Sequence, residues 1–341
     1  MASALKKVIV NIFVAVPINR ACNRYLSSRL AKVGILETPK DHGKSYETGQ
    51  LFLHKIFGYR GVILFPWLAR VYDRDTATKT EEKSVDEQTT SIGKEVKGKN
   101  HLHYQVLMDS RDSPHIRAQT EAVTFLGNPS DTRSLYTIPG LDYVAHEDIL
   151  PYLSVERSPI EHELFDQFLI YDPESSPSFT SSETLRAWQN KNQPWLQLSD
   201  VHRETTENIR VTVIPFFMGC RESQQVNDYW WRYCVRLQNF GEERVQIRER
   251  HWRIFSISGT LETVRGVGVG GHVQVQEPIL STEQPAFQYS SHIALQAPSG
   301  HMWGTFKMER QDGTVFDCKI PQFSLESKSE EANNPNSFLG S

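Results

Sequence analysis

From about Thr205 onward apolar and polar residues alternate with a period of two, and no other feature of the sequence narrows the possible folds as much. Ile209, Val211 and Val213 are separated by polar residues. The same holds for Tyr229, Trp231, Tyr233, Val235 and Leu237, then for Met302, Gly304, Phe306 and Met308, then for Phe316, Cys318 and Ile320. Successive side chains of a strand point to opposite faces, so each run describes a strand with one buried face. Turn signals fall between the runs: Asn239-Phe240-Gly241, Ser258-Gly259, Ser299-Gly300 and Asp312-Gly313. Several strands punctuated in this way predict a β-sandwich over 205–326.

A second β unit is predicted over 46–151. Gly58, Gly61 and Pro66 punctuate Val62-Ile63-Leu64-Phe65, which is apolar on both faces as a fully buried strand would be. Within His103–Met108, Tyr104, Val106 and Met108 alternate with polar neighbours. Residues 73–100 lose all periodicity and are predicted to form a mobile loop. Residues 152–204 read as a helical connector. Ser158-Pro159-Ile160-Glu161 is a capping box, and Ile160, Leu164, Phe165, Phe168 and Leu169 form an apolar stripe behind it. Thr180-Ser181-Ser182-Glu183 repeats the start signal before Leu185 and Trp188. The polar residues 327–341 are predicted to be a disordered tail.

The first 36 residues contain six basic side chains and no acidic one. That composition predicts a mitochondrial transit peptide, with a secretory signal as the competing reading because Lys6-Lys7 precede the apolar Val8–Ile18 run. Eleven residues are too few to span a bilayer, and no other segment reaches that length. Removing those six charges from the 37 basic residues leaves 31 against 41 acidic ones, a balance of −10. So acidic a body is poorly suited to neutralising phosphates, which argues against sequence-independent DNA binding. Cys22, Cys220, Cys234 and Cys318 are scattered, which excludes a disulfide scaffold and fits a reducing compartment. Cys234 and Cys318 lie inside strand-like runs and are expected to be small buried apolar residues.

Few motifs carry chemistry. Gly266-x-Gly268-x-x-Gly271 matches the dinucleotide fingerprint, but the residues behind it are strand-like and end in Pro278, where the fingerprint needs a helix. The expected reading is a glycine-rich loop between strands, with positive φ or close backbone approach; an anion nest is the alternative. His101-x-His103 offers two imidazoles without a third ligand nearby. Gln50-x-x-Leu53-x-x-Ile56-Phe57 loosely resembles a sliding-clamp-binding peptide, yet it falls in a predicted strand and is expected to pack in a core. No nucleophile elbow, zinc-protease helix or P-loop occurs, so neither cofactor nor metal is expected and the chain reads as a non-enzyme. Trp230 and Trp303 on the sandwich are the candidate anchors for a protein partner, since tryptophan is enriched at binding hot spots.

Arg250-His251-Trp252-Arg253-Ile254, Glu262–Val269, Gln288-Tyr289-Ser290-Ser291, Pro298–Gly304 and Ile320–Leu325 resemble, in that order, an ApaG domain. The resemblance covers about 205–326 and implies an immunoglobulin- or fibronectin-like sandwich. His54–Val62 and Tyr104-Gln105-Val106-Leu107 resemble the YccV-like domain, which implies a small SH3-like β-barrel over 46–151. That family carries a hemimethylated-DNA-binding label, and its bacterial members are associated with protein quality control. The two domains in this order, joined by His162–Phe165 and Glu183–Gln189, are similar to a family of polymerase delta-interacting adaptors. That likeness implies a monomeric, non-enzymatic protein of the mitochondrial matrix and nucleus. It also implies the polymerase delta small subunit, the sliding clamp PCNA and the ClpX unfoldase as partners, in DNA damage tolerance and ClpXP-linked quality control. The alternatives are a nucleic-acid module on the barrel, or a nucleotide or anion binder at the glycine loop.

Overall fold

The computed structural model describes residues 9–14, 29–41, 43–75, 96–118, 121–125, 135–222, 227–269 and 277–327. Twenty strands and two α-helices lie within them. In chain order the first strands are β1 (Ile9–Val14), β2 (Arg29–Leu36), β3 (Leu51–His54), β4 (Arg60–Asp73), β5 (Lys99–Met108), β6 (Glu121–Phe125), β7 (Leu135–Pro139), β8 (Leu141–Ala145) and β9 (Ile149–Leu153). Then come α1 (Phe165–Phe168), β10 (Leu169–Tyr171), β11 (Phe179–Ser181), α2 (Glu183–Leu196), β12 (Val201–Thr206), β13 (Ile209–Glu222) and β14 (Asn227–Asn239). The chain continues through β15 (Val245–Ser256), β16 (Leu261–Val267), β17 (Ile279–Leu280), β18 (Ala286–Leu295), β19 (Ser299–Arg310) and β20 (Val315–Glu326). It divides into two compact units: 1–66, 102–116 and 140–189 form one, and 67–101, 117–139 and 190–341 the other.

The first unit is a curled sheet in the order β9-β3-β4-β5-β8 around Tyr46, Phe52, Tyr59, Ile63, Tyr104, Val106, Met108, Val144 and Ile149. Its class is mainly β, as expected, but the barrel does not close: no pairing joins β8 to β9 among the described residues. A 3₁₀ turn, His146–Asp148, takes the chain from one to the other instead of a hairpin. His146 is held at that corner, with Tyr104 Oη 2.9 Å from Nδ1 and the Lys40 carbonyl 2.9 Å from Nε2. Below it, Tyr59 Oη donates to Asp142 at 2.7 Å. Of the predicted leader, β1 pairs antiparallel with β2, and Ile35 and Leu36 reach Leu153 and Tyr152 of β9. The rest of the leader lies outside the described residues, as do most of the predicted loop at 73–100 and the tail beyond Ser327.

The connector is only partly helical. Residues 158–164 form no helix, and α1 is a single turn. The carbonyls that would carry a helix forward are taken elsewhere. Glu161 O accepts from the Ser110 N–H (2.9 Å) and hydroxyl (2.5 Å), and Pro159 O accepts from Arg111 Nη2 (3.0 Å). A small hairpin, β10–β11, then precedes α2. The second start signal lies two residues later than read: Thr180 is in β11, and Ser182 caps the helix, its Oγ accepting from the Leu185 N–H at 3.2 Å.

The second unit contains the predicted sandwich. One sheet runs β12-β13-β14-β18, and the other runs β16-β15-β19-β20 with β17 beside the start of β15. Their inward faces supply Ile209, Val211, Val213, Trp231, Val235, Leu237, Trp252, Phe306, Met308, Cys318 and Ile320 to one core. The alternation in the sequence is this inward face.

Candidate protein-binding surface

The register of the second sheet fixes which side chains share its outer face. Trp252, Ile254, Met302 and Phe306 point inward, so their neighbours point out. One outer row is Thr263–Arg253–Trp303, because Arg253 pairs with Thr263 on β16 and with Trp303 on β19. The next row along is Arg265–His251–Thr305–Lys319, and the one before it Leu261–Phe255–His301–Ser324. Arg253 and Arg265 are exposed diagonal neighbours, and no described residue holds either in a hydrogen bond or ion pair. Other cations near this face are paired: Lys307 with Glu249 at 3.7 Å and Lys319 with Glu204 at 3.8 Å. The result is a half-exposed tryptophan beside Arg253, with Arg265 diagonal to that arginine and Phe255 and Leu261 (60% exposed) at one end. Arginine beside an aromatic ring is the composition that protein interfaces favour.

Trp230 is placed differently. It sits on β14, half-buried, its ring 5.8 Å from His292, and it shares its face with the buried Arg232 and Cys234. The two predicted anchors therefore lie on different sheets, and neither is fully exposed. Reading alternation alone identifies outward faces; it does not tell whether a further segment covers one. The arginine pair was missed because a lone Arg on a strand carries no signal until register brings a second beside it.

The glycine motif is not wholly a loop. Gly266 lies within β16, opposite Arg250, whose guanidinium carbon is 3.0 Å from where a Cβ would stand. Gly268 follows the strand with φ of +57°, as a positive-φ role requires, and donates to Arg248 O at 2.6 Å. Arg250 Nη1 is anchored on the carbonyls of Val267 and Gly268, both at 3.1 Å. Gly271 lies outside the described residues. His101 is exposed and His103 buried, and among the described residues no group of three or more His, Cys, Asp or Glu could hold a metal. Gln50, Leu53, Ile56 and Phe57 are buried or half-buried, with Gln50 Nε2 donating to Leu51 O at 3.1 Å, so the clamp-like spacing is core packing. Cys234 and Cys318 are buried, as expected.

Sequence comparison agrees with both halves of this architecture. A profile described as "Hemimethylated DNA-binding protein YccV like" matches residues 44–174, and one for the ApaG domain matches 220–310. A Mus musculus protein named Polymerase delta-interacting protein 2 is 65% identical over 322 residues, which is 92% of this chain and 86% of that protein. The chain belongs to the polymerase delta-interacting protein 2 family. The Homo sapiens member is likewise 65% identical over the same shares. The Protein ApaG of Paramagnetospirillum magneticum is 40% identical over 131 residues, covering 38% of this chain and 97% of its own length. The family's sandwich is thus what bacteria make as a separate protein, here carried behind the YccV-like unit. Arg253, Arg265 and Trp303 all belong to the ApaG stretch.

Proposed function

We propose that this chain is a non-enzymatic adaptor whose partners are the small subunit of DNA polymerase delta, the sliding clamp PCNA and, in the mitochondrial matrix, the ClpX unfoldase. The observation that carries the reading is the 65% identity across 92% of the chain to proteins named for an interaction with polymerase delta. An outer sheet face bearing Arg253, Arg265 and Trp303 supports it chemically. The basic, acid-free first 36 residues support entry into mitochondria, and a nuclear pool is proposed on the family likeness alone. The test is surface plasmon resonance of the full chain against each purified partner. Saturable binding to at least one is expected, and binding to none overturns the adaptor reading. For the address, N-terminal sequencing of matrix protein is expected to begin after about residue 30, and an intact Met1 in that pool refutes import with cleavage.

A nucleic-acid reading has one observation in its favour, the DNA-binding description of the profile that matches 44–174. Against it stands the −10 balance beyond the leader. The two separate on salt. Weak duplex binding that vanishes by about 0.15 M salt is expected of the adaptor, whereas affinity of about nanomolar order persisting there favours the nucleic-acid module.

A further inference from the structure

The sandwich has four outer strand edges, and three of them have partners. On the first sheet, β12 is paired in parallel by Val71–Asp73 of β4, and β18 is bridged at Gln288 by Ala118, with Gln288 N donating to Arg117 O at 2.9 Å. On the second, β20 is capped where Lys319 N donates to Thr206 Oγ1 at 3.1 Å and Arg74 Nη2 reaches Gln322 O at 3.4 Å. The fourth edge, β16, pairs with β15 on one side and has no strand on the other among the described residues.

The ladder shows which backbone groups that edge presents. Gly268 N donates to Arg248 O and Ser256 N to Thr260 O, so the pairs 248–268 and 256–260 are hydrogen-bonded ones. Hydrogen-bonded and non-hydrogen-bonded pairs alternate along an antiparallel ladder. Glu262, Val264 and Gly266 therefore bond to β15. Leu261, Thr263, Arg265 and Val267 turn their N–H and C=O groups outward. These are the residues whose side chains lie on the outer face beside Arg253 and Phe255. Leu261, Val264 and Val267 are 60%, 43% and 57% exposed, so neither face of the strand is shielded. Natural proteins blunt such an edge with proline, a bulge or charged side chains; β16 has no proline and no bulge, and its charges are Glu262 and Arg265.

We propose that β16 is a docking edge for an extended acidic segment of a partner protein, which adds to the second sheet as a further strand. The occupant's chemistry follows from the edge. Outward N–H and C=O groups complement another peptide backbone, which a nucleic acid does not provide. Side chains of the added strand opposite Thr263 and Arg265 fall within reach of the Arg253 and Arg265 guanidiniums, which no described residue pairs and which select carboxylates. The intervening side chains fall beside the exposed Val264 and are apolar. The motif is thus alternating acidic and apolar residues, and the local positive charge of Arg253 and Arg265 favours it over a basic one. The inference rests on the adaptor reading and names the edge and the partner chemistry.

The test is fluorescence anisotropy of the full chain with a labelled heptapeptide of alternating valine and glutamate, its lysine-for-glutamate counterpart, and a single-stranded oligothymidylate. Saturable binding of the glutamate peptide alone is expected, weakened about tenfold or more by Arg253→Glu with Arg265→Glu. Thr263→Pro removes an outward N–H without touching the β15 ladder, and it is expected to weaken binding similarly. Hydrogen exchange is the second readout, with slowed exchange of the Thr263 and Arg265 amides expected on peptide addition, whatever the fate of the proline variant. Equal binding of the lysine peptide, preference for the oligothymidylate, or self-association through this edge overturns the proposal. If the variants still bind the polymerase delta small subunit while the native chain ignores the peptide, the edge is refuted and the adaptor reading stands.

Discussion

Replacing Arg60 by methionine tests how the first unit is held together. Arg60 opens β4, with its side chain 8% exposed, and its Nε and Nη2 grip Asp112 at 2.9 and 2.6 Å. The Arg60 N–H adds a third bond to the same carboxylate at 2.8 Å. Fully buried Asp109 lies 3.6 Å from Arg60 and is itself clasped by Arg111, with Nε at 2.8 Å. Burial pulls the Arg60 guanidinium down, but the hydrogen bonds of Asp112 and the charges of Asp112 and Asp109 outweigh it, leaving the group raised. Methionine keeps most of the volume and strips the charge, leaving Asp112 buried with one backbone donor. Breaking a buried pair from one side costs about 3–5 kcal/mol. Asp112→Leu leaves the guanidinium with Asp109, 3.6 Å away, as its remaining charged partner and is expected to cost a similar amount. The double variant leaves neither charge alone, so its cost falls below the sum by about 2–3 kcal/mol. Urea unfolding followed by fluorine NMR of fluorotryptophan-labelled protein isolates the unit, because Trp188 lies in it and the other tryptophans lie in the second. A loss under about 1 kcal/mol for Arg60→Met, or strict additivity, refutes the argument.

Three further outcomes are expected. His202 is buried and stacked 5.1 Å from Tyr72, and burial, helped by Arg74, pushes its pKa down to about 3. The unfolded chain therefore binds the proton more readily. The stability from the neutral ring is complete above about pH 6.5 and declines as pH falls towards 3, by about 1.4 kcal/mol per unit. His202→Phe is expected to remove that slope, and melting temperatures from pH 7 to 5 check it. A Cβ at Gly304 would stand 2.0 Å from the His251 carbonyl, so Gly304→Ala forces β15 and β19 apart and is expected to cost about 3 kcal/mol by urea unfolding. Gly268→Ala puts an L side chain at positive φ and is expected to cost about 1 kcal/mol, with no melting shift from ATP, NAD or pyrophosphate in either form.

The parts that were legible in the sequence are those where period and burial coincide. Trp231, Tyr233, Val235 and Leu237 alternate in the sequence and are buried along β14. Even the failed helix kept its buried positions: Ile160, Phe165, Phe168 and Leu169 all pack inward. The stripe was right about burial and wrong about backbone, because Ser110 and Arg111, some fifty positions away, took the carbonyls a helix needs. Local signals cannot register a competitor so distant in sequence. The same limit applies to the surface. Trp303 could be nominated from residue type, but its pairing with Arg253, and the diagonal Arg265, exist only once β15, β16 and β19 are in register.

Three buried ionisable groups are each locked into one protonation state by burial. A general acid or base works best when its pKa is brought near the operating pH. Burial drives Tyr104, Cys318 and His202 away from that range. Tyr104 is pushed up to about 12, Cys318 also up to about 12, and His202 down to about 3. At neutral pH all three hold a single uncharged state, and each is committed to structure. Tyr104 braces His146 and accepts from the Tyr46 N–H at 3.1 Å, Cys318 packs in the sandwich core, and His202 stacks on Tyr72. Arg253 and Arg265 are instead exposed on an open sheet, and no described residue pairs with either guanidinium. Permanently charged arginines, one of them beside Trp303, and a strand edge with no partner among the described residues suit recognition of another chain.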